Sequence, residues 1–249
     1  MEVLGIIVAR GGSKSIPKKS IADCAGKPLM WYTIDAAQKA QKLTRLIIST
    51  DDLEMAEVAK AHGVEVPFMR PAELAQDNTP DLPVFQHALK TLRETDGYRP
   101  DMVVHLRPTT PLKDAADIDR GIELMIKNPE AHSVRSVCPP IHTPFKMYRK
   151  KENSNYLEPI LQKEFTETFK KYAEPYNMPR QALPAIMRHS GYIDIMKPHV
   201  IEEMNSMSGN KILALDFESW RDVDIDSPKD LIYAEIIIKS KVADSPEEE

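Results

Sequence analysis

Val3-Leu4-Gly5-Ile6-Ile7-Val8, followed at once by Ala9-Arg10-Gly11-Gly12-Ser13-Lys14-Ser15-Ile16-Pro17-Lys18-Lys19-Ser20, is the stretch from which the rest of the chain is read. Six apolar residues in a row are the pattern of a strand buried on both faces, as in a parallel sheet. Ligands of open α/β sheets bind beyond the carboxyl ends of the strands, so the loop after this strand is a candidate anion site. Gly11 and Gly12 permit close backbone approach and positive φ. Arg10, Lys14, Lys18 and Lys19 place four positive charges in this loop with no acid among them. A nucleoside triphosphate carries roughly four negative charges, which such a loop could offset. The loop is neither a Walker A sequence nor a G-x-G-x-x-G fingerprint. Taken alone it is also compatible with a solvated basic turn. Its place after a buried strand and its double glycine favour the anion site.

Outward from this loop, strand-like runs alternate with amphipathic helical stretches. Pro28 opens a helical stretch to about Ala40, and Leu46–Thr50 is a second strand. Asp51 or Asp52 caps a helix over 53–62 that Gly63 ends. Val64–Phe68 is read as a short third strand, 82–94 as a helix and Asp101–Leu106 as a fourth strand. A helix over 115–127 and a strand over Ser133–Cys138 come next. This alternation predicts an α/β fold, a mostly parallel sheet with helices on both faces. The rhythm breaks at Pro139-Pro140. The next stretch is polar and proline-rich but carries Phe145, Tyr148, Tyr156, Phe165, Phe169, Tyr172 and Tyr176. Residues 141–190 are therefore an excursion from a single domain of residues 1–240, and its aromatics suit a subunit contact better than base stacking. Core-like patterning returns at Gly191–Ile195 and Ile212–Leu215. A last helix is expected over 228–239, and 241–249 as a solvated acidic tail.

Composition narrows the function classes. Lys+Arg 33 against Asp+Glu 38 gives a net charge of −5, which argues against a general nucleic-acid surface. No apolar run approaches the roughly 18 residues of a membrane span, and the N-terminus lacks the pattern of a secretory signal. Cys24 and Cys138 form neither a disulfide framework nor zinc spacing, so a reducing cytoplasm is expected. No H-x-x-x-H or G-x-S-x-G pattern occurs, leaving zinc hydrolysis and a serine triad without an anchor.

Asp222-Val223-Asp224-Ile225-Asp226 alternates acids with apolar residues. If extended, its carboxylates share one face, and like charges so close call for a cation. Mg²⁺, held by one or two carboxylates plus phosphate oxygens, is the natural candidate. Capping of the last helix by Asp226 or Ser227 before Pro228 explains the same residues, and the basic loop in the same chain favours the metal. Arg107, in Leu106-Arg107-Pro108-Thr109-Thr110-Pro111, sits after the fourth strand and could pair a substrate carboxylate. A surface arginine in a rigid turn is the alternative. Taken singly, Lys146, Arg180 and Arg188 read as solvated charges.

Together these segments resemble the acylneuraminate (sialic acid-type) cytidylyltransferases. That family shows A-R-x-G-S-K-x-[IL]-P-x-K-N, here Ala9–Ser20; S-T-D, here Ser49–Asp51; and R-P-x-x-L-A-x-D, here Arg70–Asp77. Its L-Q-P-T-S-P-L-R corresponds to Leu106–Lys113 and its H-x-P-x-K to His142–Lys146. Its P-R-Q-x-L-P corresponds to Pro179–Pro184, its R-x-N-G to Arg188–Gly191, and its D-I-D to Asp224–Asp226. The matches run in order through most of the chain.

The resemblance implies a three-layer nucleotide-diphospho-sugar transferase (Rossmann-like) fold with a small dimerisation excursion. It implies Mg²⁺-dependent transfer of CMP from CTP to the anomeric hydroxyl of a nonulosonic 2-keto sugar acid, with loss of pyrophosphate. Arg10 and Lys19 would be catalytic. Arg10, Gly11, Ser13, Lys14, Lys19, Ser20 and Asp77 would bind nucleotide. Arg107, Lys146, Arg180 and Arg188 would bind the sugar, with Arg180 the better choice for its carboxylate, and Asp224 and Asp226 would hold Mg²⁺. The partners would be CTP, the sugar acid and a second copy of the chain, as a homodimer or a pair of dimers. Ser20 replaces the family's usual Asn, Arg107 its Gln and Ser190 its Asn, so another acid such as legionaminate or pseudaminate is a candidate acceptor. The alternatives are a same-fold transferase using another nucleotide or acceptor, and a non-catalytic nucleotide-binding protein.

Overall fold

The computed structural model describes residues 1–161 and 174–244. Its strands are β1 (Val3–Val8), β2 (Asp23–Cys24), β3 (Lys27–Pro28), β4 (Arg45–Ser49), β5 (Met102–Leu106), β6 (Ser133–Cys138), β7 (Tyr148–Lys150), β8 (Leu157–Pro159), β9 (Arg188–Met196) and β10 (Ile212–Asp216). Its α-helices include α1 (Leu29–Lys39), α2 (Leu53–Ala61), α3 (Asp81–Asp96), α4 (Ala115–Lys127), α5 (Pro198–Glu202) and α6 (Pro228–Asp244). The chain divides into two compact units, Met1–Val137 with His189–Glu249, and Cys138–Arg188.

The first unit is built on a six-stranded sheet in the order β10-β6-β9-β5-β1-β4. β1 pairs in parallel with β4 and β5, β10 pairs in parallel with β6, and β9 runs antiparallel to β5. A mostly parallel sheet with helices is the α/β fold the alternation predicts. β1 lies inside the sheet and is buried, as its unbroken apolar run requires. Gly5 lets the side chains of Leu43 and Leu46 close over the strand, since a Cβ there would stand 2.6 Å from Leu43 Cδ2 and 3.0 Å from Leu46 Cδ1.

Local signals hold at several boundaries. Asp52 caps α2, accepting from Met55 N at 3.0 Å, and Asp114 caps α4. Gly63 leaves α2 at φ 76°. Three expectations need correction. Val64–Phe68 is not a strand but a single bridge, Ile47 to Glu65, because Pro67 has no N–H to extend a ladder. Pro28 ends the short β2–β3 hairpin and precedes α1 rather than opening its first turn. Residues 241–244 continue α6 rather than starting a tail. Ser245–Glu249, Phe165, Phe169 and Tyr172 lie outside the described residues.

Among the described residues, two apolar clusters pack against the sheet and its loops. Leu4, Ile6, Ile47, Phe85, Leu92 and Val103 form one with α3. Ile16, Leu29, Leu112, Val223, Ile225 and Ala234 form the other, which ties the basic loop and the acidic segment to the same core. In the second unit, β7 and β8 form an antiparallel hairpin. No helix among the described residues is long and apolar enough to cross a membrane.

Candidate functional site

A cleft of about 510 Å³ opens beyond the carboxyl ends of β1 and β5, where an open parallel sheet places its ligands. Its lining includes Arg10, Ser13, Lys14, Lys19, Ser20, Asp77, Arg107 and Asp226. The basic loop is anchored at both ends. Ala9 N donates to Ser49 O at 3.1 Å, and Ile16 enters the core. Gly11 N donates to Asp51 Oδ1, and a Cβ on Gly11 would meet Asp52 Oδ2 at 2.8 Å. Close approach therefore requires this glycine. Positive φ falls on Lys18 instead, at φ 48° and ψ 41°.

That left-handed residue separates two neighbouring lysines. Lys18 turns to α2, 3.3 Å from Asp52 and paired with Glu54, so it does not line the cleft with the other three cations. Lys19 turns inward and donates to Ile225 O at 2.5 Å and to Asp226 Oδ1 at 3.1 Å. Arg10 pairs with Asp77 at 2.7 Å, and Lys14 pairs with the same carboxylate. Those two cations hold the Asp77 carboxyl below its ordinary range, Lys14 contributing most. Arg70 also lines the cleft, with its side chain 2% exposed and Nη2 donating to Ala9 O. The sequence places Arg70 in a matching motif, but only the fold shows it in the cleft wall.

The acidic segment alternates as its sequence predicts. Val223 and Ile225 are buried in the second cluster, while Asp224 is half-buried and Asp226 exposed. Ile225 N donates to Thr109 O at 2.8 Å, which ties the segment to the β5–α4 loop. Asp224 Oδ1 is buried without a hydrogen-bond partner among the described residues. An orphaned carboxylate oxygen beside an exposed carboxylate fits a hard divalent cation that draws its other ligands from phosphate and water. Among the described residues no cluster of three or more ligating side chains could hold a metal by itself.

The opposite wall is a charge network. Arg107 donates to Asp194 at 2.7 Å, to Gly191 O at 3.2 Å and to Asp81 at 3.2 Å. Asp194 is fully buried and also receives Arg135 and His189, each at 2.7 Å. Burial opposes ionisation of Asp194, yet His189 and the two arginines outweigh it and hold the carboxyl far below its ordinary value. His105 lines the cleft 3.8 Å from Asp81, and burial lowers its pKa to about 3, so it is neutral and makes no ion pair. Ser190, where the resembled family has Asn, faces the core and bonds Ser136. Asp81, His105 and Asp194 carry no role in the sequence reading. An acid inside the apolar run Gly191–Ile195 is the one signal that could have marked the network, since charged residues are seldom buried unpaired.

Lys146, Arg180 and Arg188 belong to the second unit and are exposed. Lys146 ends a single turn capped by Thr143. Arg180 donates to Pro140 O at 2.5 Å beside a cavity of about 330 Å³ within that unit.

Comparison with known proteins agrees with this architecture. The chain is 38% identical over 128 residues to a pseudaminic acid cytidylyltransferase from Campylobacter jejuni, covering 51% of this chain and 55% of that protein. It is 34% identical over 139 residues to a CMP-N,N'-diacetyllegionaminic acid synthase from Legionella pneumophila, covering 56% and 59%. In both cases the chain spans little more than half the relative's length. A solved CMP:2-keto-3-deoxy-manno-octonic acid synthetase in complex with CTP shares the fold, with a TM-score of 0.67 over 97% of this chain and 100% of that one at 14% identity. A family model described as cytidylyltransferase matches residues 4–238, nearly the whole chain, and the protein therefore belongs to the cytidylyltransferase family.

Proposed function

We propose that this protein transfers CMP from CTP to the anomeric hydroxyl of a nonulosonic acid. The observation that carries this reading is the cleft itself, where Arg10, Lys14 and Lys19 face the segment holding Asp224 and Asp226. The anomeric hydroxyl oxygen attacks the α-phosphorus and releases its proton to water, the bond to the β-phosphate breaks, and pyrophosphate leaves with its electron pair. Arg10 and Lys19 stabilise the charge that develops on the phosphates, the effect that dominates such transfers. Gly11, Ser13, Lys14 and Ser20 seat the triphosphate, and Asp77 is the counter-ion that Arg10 and Lys14 exchange for it. Asp224 and Asp226 hold Mg²⁺, which supplies charge neutralisation and alignment of the phosphates.

On the acceptor side, Arg107 borders the sugar site, and Lys146, Arg180 and Arg188 are assigned to the sugar acid by their matching motifs. The second unit exposes Ile141, Tyr156 and Leu157, which supports a role in dimerisation. The two buried thiols suit the reducing cytoplasm.

The test is pyrophosphate release from CTP and Mg²⁺ with a panel of pseudaminate, legionaminate, N-acetylneuraminate and 3-deoxy-manno-octulosonate, with UTP, GTP and ATP alongside. Release with CTP and one nonulosonic acid is expected. Release only with another nucleotide removes the cytidylyl assignment, and binding of CTP without turnover on any acid removes catalysis.

A further inference from the structure

The β5–α4 loop, residues 107–114, makes little backbone pairing of its own, yet side chains satisfy its carbonyls. Lys113 donates to Arg107 O at 2.6 Å, to Thr110 O at 2.8 Å and to Thr110 Oγ1. Lys113 is nine-tenths buried, and none of those acceptors is a carboxylate. Burying a lysine among neutral acceptors is costly, so the arrangement calls for a compensating role. The shape it imposes on the turn supplies one. With Arg107 O and Thr110 O drawn inward, Thr109 O is left to accept Ile225 N at 2.8 Å.

Ile225 stands between Asp224 and Asp226, and its own carbonyl accepts Lys19 Nζ. A single backbone bond from the turn thus sets the register of both carboxylates against the basic loop. A second anchor lies upstream. Arg221 Nε reaches Leu112 O at 3.4 Å, and its Nη2 bonds Asp117 and Tyr192. The same loop therefore grips the acidic segment on either side of Asp222–Asp224.

We propose that Lys113 is a positioning residue, whose buried amine shapes the Arg107–Thr110 turn so that Thr109 O holds Ile225 and places Asp224 and Asp226 for their cation. This rests on the reading that those two carboxylates hold a divalent cation. It concerns no substrate contact.

The experiment measures Mn²⁺ binding by electron paramagnetic resonance on the full chain, with CTP and without an acceptor, so that no turnover is needed. Lys113→Met is expected to weaken Mn²⁺ binding by about ten- to a hundredfold, the usual cost of losing a group that orients metal ligands. Lys113→Arg should recover most of that loss. Trp220, close to the acidic segment, should report the displacement as a shift in fluorescence, with Lys39→Met as the unaffected surface control. Where Lys113→Met fails to fold, Thr110→Val removes one acceptor at similar volume and should weaken Mn²⁺ binding several-fold.

Folded Lys113→Met, or Thr110→Val in its place, with wild-type Mn²⁺ binding overturns the proposal, provided Asp226→Asn abolishes that binding. Mn²⁺ binding that is indifferent to Asp226→Asn overturns the metal reading itself, and the proposal with it.

Discussion

The two walls of the cleft carry comparable numbers of charges and handle them in opposite ways. On the basic-loop wall, Lys14 is 82% exposed, Asp226 80% and Asp77 37%. Pairs of this kind contribute about 0–1 kcal/mol, so Arg10 and Lys14 can change partners at little cost, whereas Lys19, 15% exposed and also bonded to Ile225 O, gives up only its contact with Asp226. On the Arg107 wall, Asp194 is fully buried and three cationic or ionisable groups converge on it. Such a network is held firmly, because removing one member leaves the others buried and uncompensated. One wall is built to exchange ions with a ligand, and the other to stay as it is while a ligand comes and goes.

The largest effect is expected where the network is most buried. Asp194→Asn should cost about 3–5 kcal/mol of stability in urea unfolding, since it leaves Arg135 without its carboxylate and Arg107 with Asp81 alone. A loss below about 1 kcal/mol would mean that the two walls do not differ in this way. Next comes the exchangeable wall, where the effect should fall on turnover instead. Lys19→Ala should lower the rate of pyrophosphate release by about 10²–10³-fold, the range for losing one preorganised donor. Its unfolding midpoint should stay close to that of the parent protein.

A smaller effect separates the walls by pH. His105 has a folded pKa of about 3 against an ordinary 6.5. The unfolded chain therefore takes up this proton first, and stability is full above pH 6.5 and falls as the pH drops toward 3. The slope from this one group approaches about 1.4 kcal/mol per pH unit below pH 5.5. His105→Asn should flatten the unfolding-versus-pH curve by that amount, and an unchanged curve would place the proton elsewhere. The smallest effect concerns Asp77. Asp77→Asn removes a negative charge facing the triphosphate site and should tighten CTP binding about two- to fivefold at low salt, fading at high salt. Weaker binding would instead make Asp77 a direct contact to the nucleotide.

Much of the exchangeable wall was legible in the chain because it is local. An apolar run of six residues encodes β1, and the loop after a strand in an α/β alternation lies at that strand's carboxyl edge. A period of two in Asp222–Asp226 put Val223 and Ile225 in the core, where they are. Asp51 or Asp52 announced α2 by ordinary capping chemistry, and Asp52 is the cap. The direction of adjacent side chains was less legible. Lys18 and Lys19 look equivalent in sequence, and a left-handed backbone at Lys18, a conformation non-glycine residues seldom adopt, sends them opposite ways.

The Arg107 wall was legible only in part, since Arg107 could be named but its partners could not. Asp81 is 26 residues away and Asp194 is 87. Whether they meet depends on β9 entering the sheet antiparallel beside β5, and no periodicity or spacing encodes that neighbour. Sequence alone settled the α/β class, the edge of the sheet that carries the basic loop, and the alternation of the acidic segment, because each is determined by interactions within a few residues. Tertiary structure decided which cations face the cleft, which are neutralised, and how Lys113 and Thr109 hold the acidic segment. Those outcomes depend on burial and on contacts between residues far apart in the chain, which exist only once the sheet has closed around them.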